Sequence, residues 1–123
     1  MRAPSKQSII YKGKKFLELM SFEQEILSIL EERKVPKSIL SKATKDDIVL
    51  FSILHNDEEK SYDALFNGKT GTHAVRVFFN GEIFCSCFYF KRHRTIDKHI
   101  VKLCLLIGSP ALARIVRVEP HNV

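Results

Sequence analysis

Apolar residues change their spacing along this chain, and the changes divide it. From Phe16 the spacing is helical, with Phe22, Ile26, Ile29 and Leu30 on one face. Ser21 and Gln24 have the form of a capping box, in which each side chain satisfies an exposed backbone donor. Together they predict a helix over 21–34, closed by the approach to Pro36. Pro36 suits the first turn of a second short helix, 36–43. Thr44 ahead of Asp46 and Asp47 resembles an N-cap with carboxylates at a helix's positive end. The run Ile48 to Leu54 is apolar almost throughout, and periodicity alone does not separate a buried helix from a buried strand there. The cap upstream points to a helix over 44–55.

After Ser61 the period becomes two. Tyr62 to Phe66 reads as a strand and Asn67 to Gly71 as a turn. His73 to Phe79, Asn80-Gly81, then Glu82 to Phe90 predicts a hairpin with a type I′ turn, because both central residues accept positive φ. Pairing Phe79 with Glu82 puts Val77 opposite Phe84, Val75 opposite Ser86 and His73 opposite Phe88. The other face then carries Arg76 opposite Cys85 and Ala74 opposite Cys87. Thr95 to Ile107 returns to helical spacing through Ile96, Ile100, Leu103 and Ile107, with Gly108 and Pro110 as stops. Leu112 to Val118 reads as a last strand or short helix. The expected class is α+β. A basic arm over 1–15 (poorly ordered, or a short edge strand around Ile9, Ile10 and Tyr11) leads into a helical segment over 16–60. A sheet-and-helix module over 61–123 follows, within one compact domain.

With 45% apolar and 28% charged residues in 123, the chain supports one modest core rather than a disordered coil. No stretch approaches ~18 consecutive apolar residues, so no membrane span is expected. Met1 to Lys15 has no apolar run, so no secretory signal is expected. Three cysteines are too few for a disulfide scaffold, which implies an intracellular setting, cytoplasmic or nuclear. The net charge of +6 is uneven: residues 1–20 carry +4, residues 21–75 carry −3 and residues 76–123 carry +5. Basic ends around an acidic middle suit an anionic partner, or simply a solvated surface.

Cys85-Ser86-Cys87 lies on the second predicted hairpin strand, where residues two apart leave the sheet on the same face. Two thiolates held that close repel unless a cation lies between them. Asp97-Lys98-His99 follows at the start of a predicted helix. Strand, loop and helix start can therefore bring two sulfurs, a carboxylate and an imidazole to one point, a set that closes a tetrahedral zinc shell.

At these residues the chain resembles the SWIM zinc finger, whose pattern is Cys-x-Cys, a variable gap, then Cys-x-His on a hairpin followed by a helix. Cys85, Cys87 and His99 match that pattern, the last in a Lys98-His99-Ile100 setting, and the likeness covers about residues 73–107. Asp97 stands where the family has its third cysteine. The resemblance implies one zinc ion held by Cys85, Cys87, Asp97 and His99, with Asp97 preferred because it occupies the family position. His93 is an alternative fourth ligand, and a metal-free remnant is a third reading. The family implies DNA binding or docking of a protein, such as a paralogue of the strand-exchange recombinase, in recombination, repair or transcription. It implies no catalysis.

Each residue also has a plainer reading. Cys85 and Cys87 could be small buried residues, as Cys104 is expected to be. Asp97 could serve only the first helical turn. His93 sits between Arg92 and Arg94 as an exposed base. Lys91, Arg92, Arg94 and Lys98 are the candidate phosphate contacts, with weak binding to DNA expected. The alternation places Phe88 and Phe90 in the core and leaves only Tyr89 exposed, so base stacking carries less weight than phosphate contact. Two alternatives remain: a metal-free winged helix built on helices 21–34, 36–43 and 44–55, and a protein-interaction adaptor using the acidic helices. No nucleophile elbow or Gly-rich phosphate loop supports an enzyme.

Overall fold

A computed structural model describes residues 7–11, 22–45, 48–68 and 71–119, with the backbone alone for 7–11. Ser21 of the predicted capping box, the Asp46–Asp47 cap and the rest of the basic arm lie outside these residues. The fold is α+β. Strand β1 (Gln7–Tyr11) precedes helices α1 (Glu23–Glu32) and α2 (Lys37–Ala43). Strands β2 (Val49–Asn56), β3 (Ser61–Gly68), β4 (Gly71–Phe78) and β5 (Ile83–Cys85) follow. Three helices close the chain: α3 (Phe88–His93), α4 (Lys98–Ile107) and α5 (Pro110–Ile115).

Both early helices form where the periodicity puts them. Ile26 and Leu30 are buried one turn apart on α1. That helix ends as Lys34 turns left-handed (φ 76), and the Val35 N–H donates back to the Leu30 carbonyl at 3.0 Å. Pro36 is extended and immediately precedes α2. The helix expected over 44–55 is not formed. Thr44 closes α2, its hydroxyl donating to the Ser41 carbonyl at 2.9 Å, and the apolar run beyond it is β2. The run is β-branched and aromatic, and β3 offers it an antiparallel partner, with Ile53 opposite Ala64 and Leu54 opposite Asp63. A register shift between Leu50 and Ser52 leaves Phe51 outside the ladder. Losing that third helix removes the recognition element of the winged-helix alternative.

The five strands form one antiparallel meander in the order β1-β2-β3-β4-β5. Ile53, Ala64, Val75 and Cys85 lie side by side across four strands, all buried. Helix α4 lies on this face, packed on β4 and β5 and against α1 and α2. Its residues from His99 to Leu106 are all buried, so it is the centre of the core.

The β4–β5 register differs by one residue from the expected one. Val75 faces Cys85, Arg76 faces Phe84 and Val77 faces Ile83. The Phe78 N–H donates to the Glu82 carbonyl at 2.8 Å, so the loop is the three residues Phe79-Asn80-Gly81. Phe79 leaves the ladder because its ring packs on His55 and Tyr62, at 5.2 Å to each. Its N–H donates to the Lys60 carbonyl at 2.8 Å. Gly81 takes φ +97, and a Cβ there would run into the Ile115 carbonyl. A one-residue slip exchanges the faces of a strand, so Cys85 sits beside buried Val75 rather than opposite Arg76.

Candidate metal centre

Four side chains meet where β5 ends and α3 and α4 begin. Cys85 is the last residue of β5. Past it the ladder is capped by Ser86, whose N–H donates to the Ala74 carbonyl and whose hydroxyl accepts from the Ala74 N–H, both at 2.9 Å. The strand expected to run to Phe90 therefore stops. Cys87 is instead the N-cap of α3, its sulfur accepting the Phe90 N–H at 3.5 Å. The backbone is still extended at Cys87, with φ −74 and ψ 162. The spacing thus carries both sulfurs to one side even though the second is off the strand.

Asp97 is the N-cap of α4. Its Oδ1 accepts the Ile100 N–H at 2.9 Å, which leaves Oδ2 for the cluster. His99 follows in the first turn, with Nδ1 turned toward Cys85 and Asp97. Ligand atoms of Cys85, Cys87, Asp97 and His99 all lie within 4.8 Å of one another, and all four residues are buried. Nδ1 of His99 is 3.7 Å from the Cys85 sulfur and 3.8 Å from Asp97 Oδ2. Bonds of 2.0–2.3 Å to zinc give tetrahedral edges of about 3.3–3.8 Å. The sulfur–nitrogen edge falls within that range, while the nitrogen–oxygen edge is a few tenths of an ångström longer than two bonds of about 2.0–2.1 Å give. A third, Cys87 sulfur to Asp97 Oδ2, is shorter at 2.8 Å, close enough to need a proton or a cation between the two groups. A cavity of about 160 Å³ abuts the group, lined in part by Lys42, Tyr89 and Lys98.

Electrostatics of the metal-free cluster follow from its crowding. The adjacent Cys85 thiol brings Cys87 down to about 5, against burial and with help from His99. The same interaction, with burial, pushes Cys85 up. Burial opposes charge on Asp97, but contacts from His99, Cys87 and the Ile100 N–H outweigh it and hold the carboxyl low. Burial likewise opposes a charged His99, yet Asp97 and Cys87 raise it to about 9. Both shifts leave Cys85 and His99 holding protons near neutral pH. A divalent ion replacing those two protons leaves the net charge of the cluster unchanged. The donor set, two sulfurs, one nitrogen and one oxygen, suits zinc.

Other candidates fall elsewhere. His93 is exposed near the end of α3, its ring 4.4 Å from that of Tyr89, and does not join the group. Cys104 is core: burial pushes its thiol up to about 12. Lys91, Arg92 and Arg94 are exposed, but on a helix and its left-handed C-cap rather than in a loop. Lys98 opens α4, half-buried beside the cluster. Two residues lie elsewhere than the strand alternation puts them. His73 was expected opposite Phe88, yet its ring lies 4.7 Å from that of His99. Phe88 was expected in the core, yet it is 73% exposed, because α3 turns it outward where a strand would have turned it in. No sequence signal marks the start of α3, whose cap is a cysteine.

No family model, characterised protein or solved structure matches this chain. Among the described residues, no helix is long and apolar enough to cross a membrane.

Proposed function

We propose that this chain is a zinc-binding module of the SWIM type, with Asp97 in place of the third cysteine, that binds nucleic acid through phosphate contacts. The observation that carries the reading is the buried convergence of Cys85, Cys87, Asp97 and His99 within 4.8 Å. Zinc there would be structural. Its four protein ligands complete the shell, and its effect is to lock the end of β5 to the starts of α3 and α4. Asp97 fits the family position because one oxygen caps the helix and the other faces the Cys87 sulfur and His99 within the cluster. Locking the starts of α3 and α4 together would hold Lys91, Arg92 and Arg94 of α3 and its cap, and Lys98 of α4, in fixed relation as a cationic surface. Phosphate contacts carry no sequence information of their own, so sequence preference is expected to be slight.

The test is elemental analysis of the purified chain, followed by binding to labelled DNA across a salt series. About one zinc per chain is expected, lost in Asp97→Ala and kept in His93→Ala. Four cations give a log–log salt slope of roughly −3 to −4, most of it removed by replacing Lys91, Arg92 and Arg94 together. Folded protein that takes up no zinc contradicts the module. Absence of DNA binding at low salt contradicts the phosphate surface and transfers the reading to a protein-docking adaptor.

A further inference from the structure

Helix α3 exposes more than charge. Phe88 is the most exposed large apolar side chain among the described residues, at 73%, and Tyr89 beside it is 39% exposed. An exposed apolar residue alone means little, but these two have a particular setting. The Arg92 guanidinium sits 6.0 Å from the centre of the Phe88 ring. The Tyr89 and His93 rings are 4.4 Å apart. Both pairs are four residues apart, so α3 presents two adjacent columns, one with the Arg92 guanidinium over the Phe88 ring and one with His93 tilted against Tyr89. Exposed Lys91 and Arg94 complete the surface. The helix is fixed from beneath, where buried Phe90 meets Phe84 edge-on at 6.0 Å and the Cys87 sulfur holds the first turn.

Resting on the nucleic-acid reading above, we infer that α3 is a stacking platform for unpaired bases, with Phe88 the principal ring and Tyr89 the second, so that the protein takes single strands in preference to duplex. Duplex DNA shows a protein base edges and phosphates, while the faces of its bases are covered by their neighbours. A phenyl ring has no donor or acceptor with which to read an edge. It gains from a base only when a face is free, and every base has one once unpaired. The surrounding cations serve phosphates of either form, so the rings decide between them. An anionic lipid surface also attracts cations with aromatics, but it takes a broad apolar helix face. Helix α3 buries Phe90 and exposes only the narrow pair of rings, Phe88 and Tyr89.

The experiment is fluorescence anisotropy at low salt with the full chain as purified. The probes are a mixed-sequence oligonucleotide of about 16 nucleotides, single-stranded and as its duplex, and phosphatidylserine vesicles. The single strand should bind about tenfold or more tighter than the duplex. Phe88→Ala and Phe88→Leu should both abolish that preference, and Phe88→Trp should retain it, with zinc content unchanged throughout. The leucine variant separates a stacking ring from a merely apolar side chain. Equal affinity for the two forms, or a preference that survives in the Ala and Leu variants, overturns the platform and leaves the phosphate surface standing. Capture by vesicles without nucleic-acid binding, or binding to none of the probes, overturns both.

Discussion

Helices α3 and α4 both start at a side chain of the four-residue cluster, and they are held in different ways. Cys87 caps α3 and Asp97 caps α4, each through its own side chain. Beyond the cap the likeness ends. Eight residues of α4, from His99 to Leu106, are buried between the sheet and α1 and α2. In α3 only Phe90 is buried. One helix is held by packing along most of its length. The other has one buried ring, one sulfur cap and the cluster behind it. A zinc ion in this fold would thus stabilise the position of α3 far more than the core, and α3 is where the exposed cations and rings are.

The sharpest contrast is in the cores. Leu103→Ala in α4 removes a fully buried side chain and should cost about 2–5 kcal/mol in denaturant unfolding. A cost below about 1 kcal/mol would mean that α4 is not the centre of the structure.

Next in size is the pH dependence of zinc affinity. In the metal-free cluster Cys85 is raised, His99 is raised to about 9 and Cys87 is lowered to about 5. Between those values zinc must displace two protons, one from Cys85 and one from His99. Affinity should therefore rise roughly a hundredfold per pH unit, and fall as the solution is acidified. Without metal the sign for His99 reverses. Its raised value gives stability that is full below about 6.5 and is lost as pH rises through about 9. Competition titrations at two pH values read the slope, and a pH-independent affinity would exclude these ligands.

Chelation tests the comparison itself. Hydrogen exchange of the Lys91 and Arg94 amides, which donate to Cys87 and Phe90 carbonyls, should quicken by at least about tenfold, or ~1.4 kcal/mol. Amides of α4 should keep their protection. Uniform loosening would show that both helices depend on the metal alike. Smallest of all, Phe88→Ala on exposed α3 should change stability by no more than about 0.5 kcal/mol.

Legibility in the sequence followed the range of the forces involved. The amphipathic faces of α1, α2 and α4 are local patterns, and each helix lies where its spacing put it. The convergence of the four side chains was legible for the same reason: Cys85 with Cys87 and Asp97 with His99 are each two residues apart, and a helix start between them is a local signal. The hairpin register was not. Asn80-Gly81 is as consistent with a three-residue loop as with a two-residue one, and the contacts of Phe79 with His55 and Tyr62 decided it from far away in the chain. The start of β2 misled because Thr44 opens no helix; it is the C-cap of α2. Alternation hid Phe88, since a cysteine-capped turn interrupts the strand where no glycine or proline announces it.

The central claim is that two sulfurs, one nitrogen and one oxygen of this chain hold a single zinc ion at the root of α3. X-ray absorption at the zinc edge of the purified protein tests it most directly. The account predicts two sulfur neighbours at about 2.3 Å and two lighter neighbours at about 2.0–2.2 Å, with one sulfur lost in Cys87→Ser. A spectrum with three or four sulfurs, or with none, would contradict it.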